Sequence, residues 1–414
     1  MKLVLKFLLA IVLAIVLVAA IKYKTIKRLY TAIHLFDENV IVDNFQNMDK
    51  HFKVKSWEAS AQPIPFPKNI SYNLIETFTH GDSLYNVSDY LKYVNTEGLM
   101  ILYRDTVIFE AYDNGLTPAT THISWSMAKS VVATLMGIAY DDGLYKLDDP
   151  ITKYLPQFIG TGYDGVKIKD ILQMSSGVKF VEDYGDYNSD INRFGRAFAM
   201  GSSLEKFAMS LVREREPGTY CHYVSMDTQV LGILLIKLTG MSLTDYLKLK
   251  LWEPLGMQDD AQWIVDNTGL ELALGGLNMT LRDYAKLGQL YIHEGMFNGQ
   301  QIVSKAWVNM AVTPDAPHLM PGVQEMSSHD YGYGFQWWVP NPDEGDFFAA
   351  GIYNQYIYVQ PDKDLVIVKL SANHHFKTEG QETKGTHISL FKEIANKFPE
   401  KSLPIQILDN EQAN

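Results

Sequence analysis

Ser126 and Lys129 lie three residues apart in the segment Ser124-Trp-Ser-Met-Ala-Lys129, at the start of an apolar stretch with helical periodicity. On a helix, this spacing puts the two side chains on the same face. A serine hydroxyl needs a neighbouring base to become a nucleophile, and a lysine that has lost its proton through desolvation can be that base. The ordinary alternative is a serine that caps a helix and a lysine on its surface.

A second segment with chemical potential contains Tyr223 and Ser225, shortly after Pro217-Gly218. The Pro-Gly pair predicts a turn and the following residues predict a helix, so Tyr223 is expected on a loop before a helix start. A tyrosine becomes an acid/base group when a cation lowers its pKa, and Lys129 would supply that charge if the two segments meet. The alternatives are a tyrosine that packs a loop and, for Ser225, a helix cap rather than a partner of Lys129 and Tyr223.

The elements that must position these residues include two predicted β-hairpins. One covers residues 98–112 and turns at Arg104-Asp105, and the other joins residues 355–360 to 365–370. Helical patterns cover residues 126–140, 204–214, 226–238, 242–250 and 281–294, with more helix after Gly380. Strands from both ends around a helical middle predict an α+β fold, in which helices flank an antiparallel β-sheet and a mostly helical subdomain is inserted at about 150–275. A pocket is expected at the seam between sheet and helices.

Taken in order, Ser126-Met-Ala-Lys129 and Tyr223-Val-Ser225 resemble the S-x-x-K and Y-x-N/S elements of the serine β-lactamase-related, penicillin-recognising family. Similarity in segments 170–177, 275–283 and 331–338 extends the resemblance over roughly residues 80–395. The resemblance implies that Ser126 is the nucleophile, that Lys129 and Tyr223 form an acid/base pair, and that no cofactor is needed. It also implies an oxyanion hole made by the backbone N–H groups of Ser126 and Ile352.

Two departures from the family pattern narrow the expected substrate. Ala349-Ala-Gly351 stands where penicillin-recognising members carry Lys-Thr-Gly or His-Thr-Gly, and an alanine cannot bind a carboxylate as those side chains do. Ser225 also replaces the usual asparagine. Both changes resemble the 6-aminohexanoate-dimer hydrolase subgroup, which implies a hydrolase of small-molecule amides or esters. The alternatives are a β-lactamase or D-alanyl-D-alanine carboxypeptidase, and a membrane-tethered binding or sensor protein that has lost turnover.

Five further residues are candidates for contact with the substrate: Tyr184, Tyr187, Asn278, Gly351 and His375. The tyrosines belong to an aromatic loop, the asparagine follows a glycine pair, and the histidine, with its neighbour His374, follows a predicted strand. Each has a structural alternative, because loop tyrosines, turn asparagines and buried histidines often only satisfy local packing and hydrogen bonds.

Composition excludes several other classes of protein. The single cysteine, Cys221, excludes an internal disulfide and a zinc site built from several thiolates. None of the eleven histidines lies in an H-E-x-x-H pattern, so no metal site is predicted. The net charge is −12, and residues 1–28 hold six Lys or Arg and no acid, so the rest carries −12 − 6 = −18. Such an acidic body argues against nucleic acid as a partner.

The first 28 residues predict a membrane anchor or a signal segment. Lys2 and Lys6 precede an apolar run over residues 7–21, and a basic cluster follows it. We expect a single anchor with the body on the extracytoplasmic or periplasmic side, and secretion after cleavage is the alternative. Residues 29–75 are expected to be a linker or N-terminal extension, residues 76–398 the hydrolase domain, and residues 399–414 a tail.

Overall fold

A seven-stranded antiparallel sheet forms the centre of the molecule, in a computed structural model that describes residues 2–401. Most of the predicted tail, residues 402–414, therefore lies outside the described residues. In spatial order, the strands of the sheet are β11 (Gly332–Tyr333), β12 (Trp338–Asn341), β13 (Asp346–Gly351), β14 (Gln355–Gln360), β15 (Leu365–Ser371), β4 (Thr96–Tyr103) and β5 (Thr106–Tyr112).

Both predicted hairpins are confirmed in this sheet. Strands β4 and β5 pair across a two-residue turn in which Arg104 and Asp105 have φ of +48° and +58°, the backbone that matches the twist of a tight hairpin. Strands β14 and β15 pair directly, and β15 pairs with β4. Early and late parts of the chain thus share one antiparallel sheet, as the α+β prediction requires.

Residues 2–401 also form three smaller sheets. A four-stranded sheet has the order β1 (Val54–Trp57), β7 (Ala261–Ile264), β8 (Leu277–Met279) and β6 (His122–Ile123). The two-stranded sheets are β2 (Thr77–His80) with β3 (Ser83–Asn86), and β9 (Met296–Phe297) with β10 (Gln300–Gln301). Strand β6 matters for function because it ends immediately before Ser124 and so fixes where the Ser126 segment begins.

Residues 2–401 form twelve α-helices in addition to the sheets. They are α1 (Lys2–His34), α2 (Ile41–Gln46), α3 (Val87–Tyr93), α4 (Ala128–Asp141), α5 (Ile168–Leu172), α6 (Asp190–Ala199), α7 (Leu204–Met209), α8 (Ser225–Thr239), α9 (Leu243–Leu247), α10 (Leu281–Ile292), α11 (Lys305–Val312) and α12 (Phe376–Ala395). The predicted helical subdomain holds α5 to α9. Helix α7 ends earlier than the predicted residue 214, because the next backbone groups bond to other loops: Leu211 accepts from Gly162 and Val212 from Lys179.

Residues 29–75 form a packed extension rather than a free linker. Helix α1 continues to His34, beyond the predicted boundary at residue 28, and β1 pairs with β7 of the body. Leu35, Ile41 and Phe45 are buried in the main core, and removing their apolar surface from water holds the extension in place. Within residues 2–401, no single helix has the length and apolarity to cross a membrane; only the bent pair Ser225–Thr239 and Leu243–Trp252 meets both criteria when its members are taken together.

Candidate active site

Ser126 lies in a short 3₁₀ turn, Trp125–Met127, between β6 and α4. The residue before the turn is fixed, because Ser124 is fully buried and its N–H donates to the carbonyl of Leu277 at 2.8 Å. Trp125 has φ of +43°, a left-handed conformation that costs about 1–3 kcal/mol in a non-glycine residue and survives only where the surroundings impose it. The backbone therefore holds Ser126 in a fixed position just before α4.

Lys129 is buried one turn further along, with only 1% of its surface exposed. Its Nζ lies 2.9 Å from Ser126 Oγ and donates to the carbonyl of Leu274 at 2.7 Å. Burial lowers the pKa of Lys129 to about 8, against the opposing charges of Glu182 and Asp227. About a tenth of the amine is therefore neutral at pH 7, and it lies at hydrogen-bond distance from a hydroxyl that it can deprotonate.

Tyr223 lies on the loop before α8, as the sequence indicates. The Nζ of Lys129 is 5.3 Å from the centroid of its ring, and Trp338 stacks on the ring at 5.4 Å. Burial and the charge of Glu182 raise the pKa of Tyr223 well above 10, while a hydrogen bond with Ser126 acts in the opposite direction. The expectation that Lys129 lowers this pKa therefore fails for the resting site, where the phenol keeps its proton.

Ser225 is partnered by Glu182. Its Oγ donates to Glu182 Oε1 at 2.5 Å and its backbone N–H to Glu182 Oε2 at 3.0 Å, and the hydroxyl of Tyr184 also donates to Oε1 at 2.6 Å. The structure therefore connects Ser225 to Lys129 and Tyr223 only through the charge of this carboxylate. Sequence reasoning missed Glu182 as a site residue, although it stands at the start of the aromatic loop that holds Tyr184 and Tyr187.

Gly351 ends β13 against the Ser126 turn. A Cβ at this position would lie 2.3 Å from the carbonyl oxygen of Ser124, so no other residue fits without displacing one of the two segments. The next residue, Ile352, borders the same space as Ser126. The close approach of the two segments brings the Ile352 peptide next to Ser126.

Two cavities meet at this point, and Ser126, Tyr184 and Ile352 border both. The first, the apolar cavity, has a volume of about 310 Å³ and is lined mainly by hydrocarbon and aromatic side chains, among them Phe36, Phe52, Trp125, Phe194, Leu272 and Leu274. The second, the polar cavity, has a volume of about 630 Å³, and its lining includes Glu182, Tyr223, His329, Trp338 and Lys384. A carbonyl placed at Ser126 would have one substituent directed to each cavity.

Of the other residues predicted to contact the substrate, Tyr187 lines a cavity, whereas Asn278 and His375 do not. Tyr187 lines the apolar cavity but is 66% exposed, at its rim. Asn278 is a correction: it is buried within β8, its amide donates to the carbonyl of Gly276 at 2.9 Å, and it borders neither cavity. His375 also borders neither cavity; it precedes α12 and stacks on Tyr93 at 4.8 Å.

Comparison with known proteins identifies the family to which this site belongs. A family model described as Beta-lactamase matches residues 96–387, which include every residue of the Ser126, Tyr223 and Ile352 segments. The chain belongs to the β-lactamase family. A curated relative, the 6-aminohexanoate-dimer hydrolase of Paenarthrobacter ureafaciens, is 30% identical over 284 residues, which cover 67% of this chain and 72% of the relative.

Two solved structures share the fold of this chain. A Bacillus anthracis protein, provisionally assigned as a 6-aminohexanoate-dimer hydrolase, superposes with a TM-score of 0.79 at 21% identity and covers 88% of this chain and 97% of its own. EstCE1, described as a hydrolase with promiscuous acyltransferase activity, has a TM-score of 0.59 at 15% identity, covering 73% of this chain and 96% of its own. This chain is therefore a β-lactamase-family serine hydrolase with the expected α+β fold.

This β-lactamase-family hydrolase carries a lysine in the polar cavity that sequence reasoning missed. Lys384 comes from α12 rather than from β13, whose Ala350 borders the same cavity. Its Nζ lies 4.3 Å from the ring centroid of Trp338, and burial lowers its pKa to about 8 against the charges of Glu182 and Asp330. No local sequence signal marks Lys384, because only the folding of α12 across the sheet brings it to this wall.

Proposed function

We propose that the protein hydrolyses an amide or ester bond through an acyl intermediate on Ser126. The observation that carries the proposal is the 2.9 Å contact between Ser126 Oγ and the buried amine of Lys129, at the meeting point of two cavities. The 6-aminohexanoate-dimer hydrolase relative supports an amide as one substrate type.

The proposed chemistry assigns one proton step to each group. Neutral Lys129 takes the proton of Ser126 while Oγ attacks the carbonyl carbon, and the N–H groups of Ser126 and Ile352 stabilise the oxyanion. Tyr223, which still holds its proton, donates that proton to the leaving group. The new ammonium of Lys129, close to the ring, lowers the pKa of Tyr223 at that moment and so favours this donation. The ammonium then gives its proton to the phenolate, which restores neutral Lys129 and protonated Tyr223. Water releases the acyl group by the same path in reverse.

Intact-mass spectrometry tests the proposed nucleophile. The protein is incubated separately with a fluorophosphonate, a p-nitrophenyl acyl ester and a penicillin, with Ser126→Ala as the control. We expect a fluorophosphonate adduct on Ser126, turnover of the ester, and little penicillin adduct because Ala349 and Ala350 offer no cation on β13. A stable penicillin adduct would favour a cell-wall peptidase, and no adduct with any reagent would favour a protein that only binds.

The pH profile of kcat/KM tests the role of Lys129. Only the neutral amine can act as the base, so kcat/KM is expected to rise with pH through a midpoint near the Lys129 pKa of about 8. Glu182→Gln removes a negative charge that raises this pKa, so its midpoint is expected to lie lower. A midpoint unchanged in Glu182→Gln, or a rate that falls between pH 7 and 9, would contradict the assignment.

We also propose that the outer part of α1 attaches the protein to a membrane. Apart from Lys6, the side chains over Val4–Leu17 are apolar, and they are largely exposed, Leu9 at 60% and Leu13 at 61%. A double variant Leu9→Asp/Leu13→Asp should move the protein from the membrane fraction to the soluble fraction, because each acidic residue costs about 3 kcal/mol within a bilayer helix. Leu84→Asp, at a position 72% exposed on the body, is the control that should not change the partition.

A further inference from the structure

The apolar cavity has a lining that favours one kind of occupant. Its charged lining residues among residues 2–401 are Arg196 and Lys377, and no carboxylate lines it. Both cations lie over aromatic rings, Arg196 at 3.7 Å from the centroid of Tyr187 and Lys377 at 5.4 Å from that of Phe36. The remaining lining is largely hydrocarbon and aromatic, so a cationic group would lose its hydration there with no carboxylate among the described lining residues to replace it.

The position of Tyr223 decides which part of a substrate enters this cavity. Tyr223 lines the polar cavity and not the apolar one, whereas Ser126 and Ile352 border both. A leaving group that takes a proton from Tyr223 must therefore lie in the polar cavity. The substituent on the other side of the reacting carbonyl, which stays on Ser126 as the acyl group, then points into the apolar cavity.

We infer that the acyl group of the substrate is an unbranched hydrocarbon chain, which the apolar cavity binds during acylation. This inference rests on the proposed function, because it uses Ser126 and Tyr223 in their proposed roles. A cavity of about 310 Å³ is at the lower end of the range for small-ligand sites, which suits a single chain rather than a bulky ring system.

The N-terminal extension contributes a wall of the apolar cavity. Ala32 and Ile33 from the end of α1, and Leu35 and Phe36 directly after it, all border the space, and Phe36 stacks on Tyr353 at 4.6 Å. The exposed apolar part of the same helix, Val4–Leu17, lies further along it. An acyl chain is the shared chemistry of a water-soluble acyl amide or ester and of a membrane lipid, so the test includes both sources.

The experiment measures kcat/KM of the full chain for p-nitrophenyl esters of acetate, butyrate, hexanoate and octanoate, all below their aggregation limits. Acetate and octanoate differ by six methylenes, and burial of each one favours binding, so we expect the value to rise by at least about 100-fold from acetate to octanoate. A flat profile, or one that falls with chain length, would overturn the inference. In a parallel arm, fatty acid released from dioctanoyl phosphatidylglycerol supports a lipid source, and its absence alongside a rising ester profile supports a soluble source.

A cavity-filling variant makes the test specific. A side chain at Gly195, in α6, would start in open space, because a Cβ built there meets no atom within 4 Å. Gly195→Leu should therefore shorten the cavity and lower the octanoate-to-acetate ratio of kcat/KM at least tenfold. Arg193→Leu adds the same side chain to α6 at a position 60% exposed that does not line the cavity, and its ratio should match that of the parent.

Labelling with the fluorophosphonate separates the two possible failures. If Ser126 reacts with the reagent and the chain-length profile is flat, the acyl-chain inference fails and the proposed function stands. If Ser126 does not react, the proposed function fails as well. An equal octanoate-to-acetate ratio in Gly195→Leu and the parent would also overturn the inference, since the added leucine must then lie outside the space that the chain occupies.

Discussion

Replacing Lys129 by methionine is expected to lower kcat/KM for ester hydrolysis by about 10³- to 10⁴-fold, while the protein still folds. Methionine has nearly the same length and no basic group, so Ser126 keeps its position and loses its base. The side chain is buried, and removal of a buried amine relieves a desolvation cost that offsets the lost bond to Leu274. We therefore expect a melting temperature within about 5 °C of the parent.

The chain offers a matched control for Lys129 in Lys286. This lysine of α10 is also 1% exposed, also donates to a carbonyl, that of Ile64 at 2.6 Å, and also has its pKa lowered to about 8 by burial. It does not border either cavity at Ser126. Lys286→Met should keep kcat/KM within about threefold of the parent. Equal losses in the two variants would mean that Lys129 acts through folding rather than as the base.

The sheet and its hairpins could be predicted because their information is local. Short apolar runs rich in β-branched and aromatic residues, with turns at Arg104-Asp105 and Pro361–Lys363 between them, predict strands without reference to the rest of the chain. The Ser126–Lys129 spacing is local too, since three residues on a helix fix which side chains share a face. These parts of the prediction needed no knowledge of tertiary contacts.

Several residues that line the cavities or partner the site could not be predicted, because they belong to segments that are far from their partners in the sequence. Lys384 is carried by α12, and Phe36 by the segment over residues 29–75 that was expected to be a linker or N-terminal extension. Glu182 gained its role through Ser225, 43 residues away, and nothing near it in sequence announces that contact. Asn278 shows the opposite error, where a residue in a suggestive motif serves only the backbone of its own sheet.

The direction in which the pKa of Tyr223 shifts also depends on contacts from distant segments. Lys129 would lower this pKa if the two segments met, but burial and Glu182 raise it in the folded protein. A phenol that holds its proton at rest suits donation to a leaving group. Above the Lys129 pKa of about 8, both side chains are neutral at rest and become charged only during the reaction.

The contribution of the Ile352 backbone N–H to the oxyanion hole can be tested at Gly351. Gly351→Ala is expected to lower kcat by about 10²- to 10³-fold, the size of effect produced by loss of one oxyanion-hole donor. Its methyl group would meet the carbonyl of Ser124 at 2.3 Å, so β13 and the Ser126 turn must separate and carry the Ile352 N–H away from the oxyanion. KM should change far less than kcat, because this hydrogen bond matters most in the transition state.

Gly98→Ala provides the comparison for Gly351→Ala within the same sheet. A Cβ at Gly98 would lie 3.0 Å from Leu116 Cδ2 and 3.2 Å from Leu281 Cδ2, the far ends of flexible side chains rather than backbone. Gly98→Ala should thus keep kcat within about threefold of the parent even if it is somewhat less stable. If Gly351→Ala also keeps parental kcat, the Ile352 peptide does not stabilise the oxyanion, and the donor opposite Ser126 must come from elsewhere in the polar cavity. A loss of kcat in Gly351→Ala but not in Gly98→Ala would instead show that the rate depends on the distance between β13 and the Ser126 turn. A motif of side-chain types does not predict that distance.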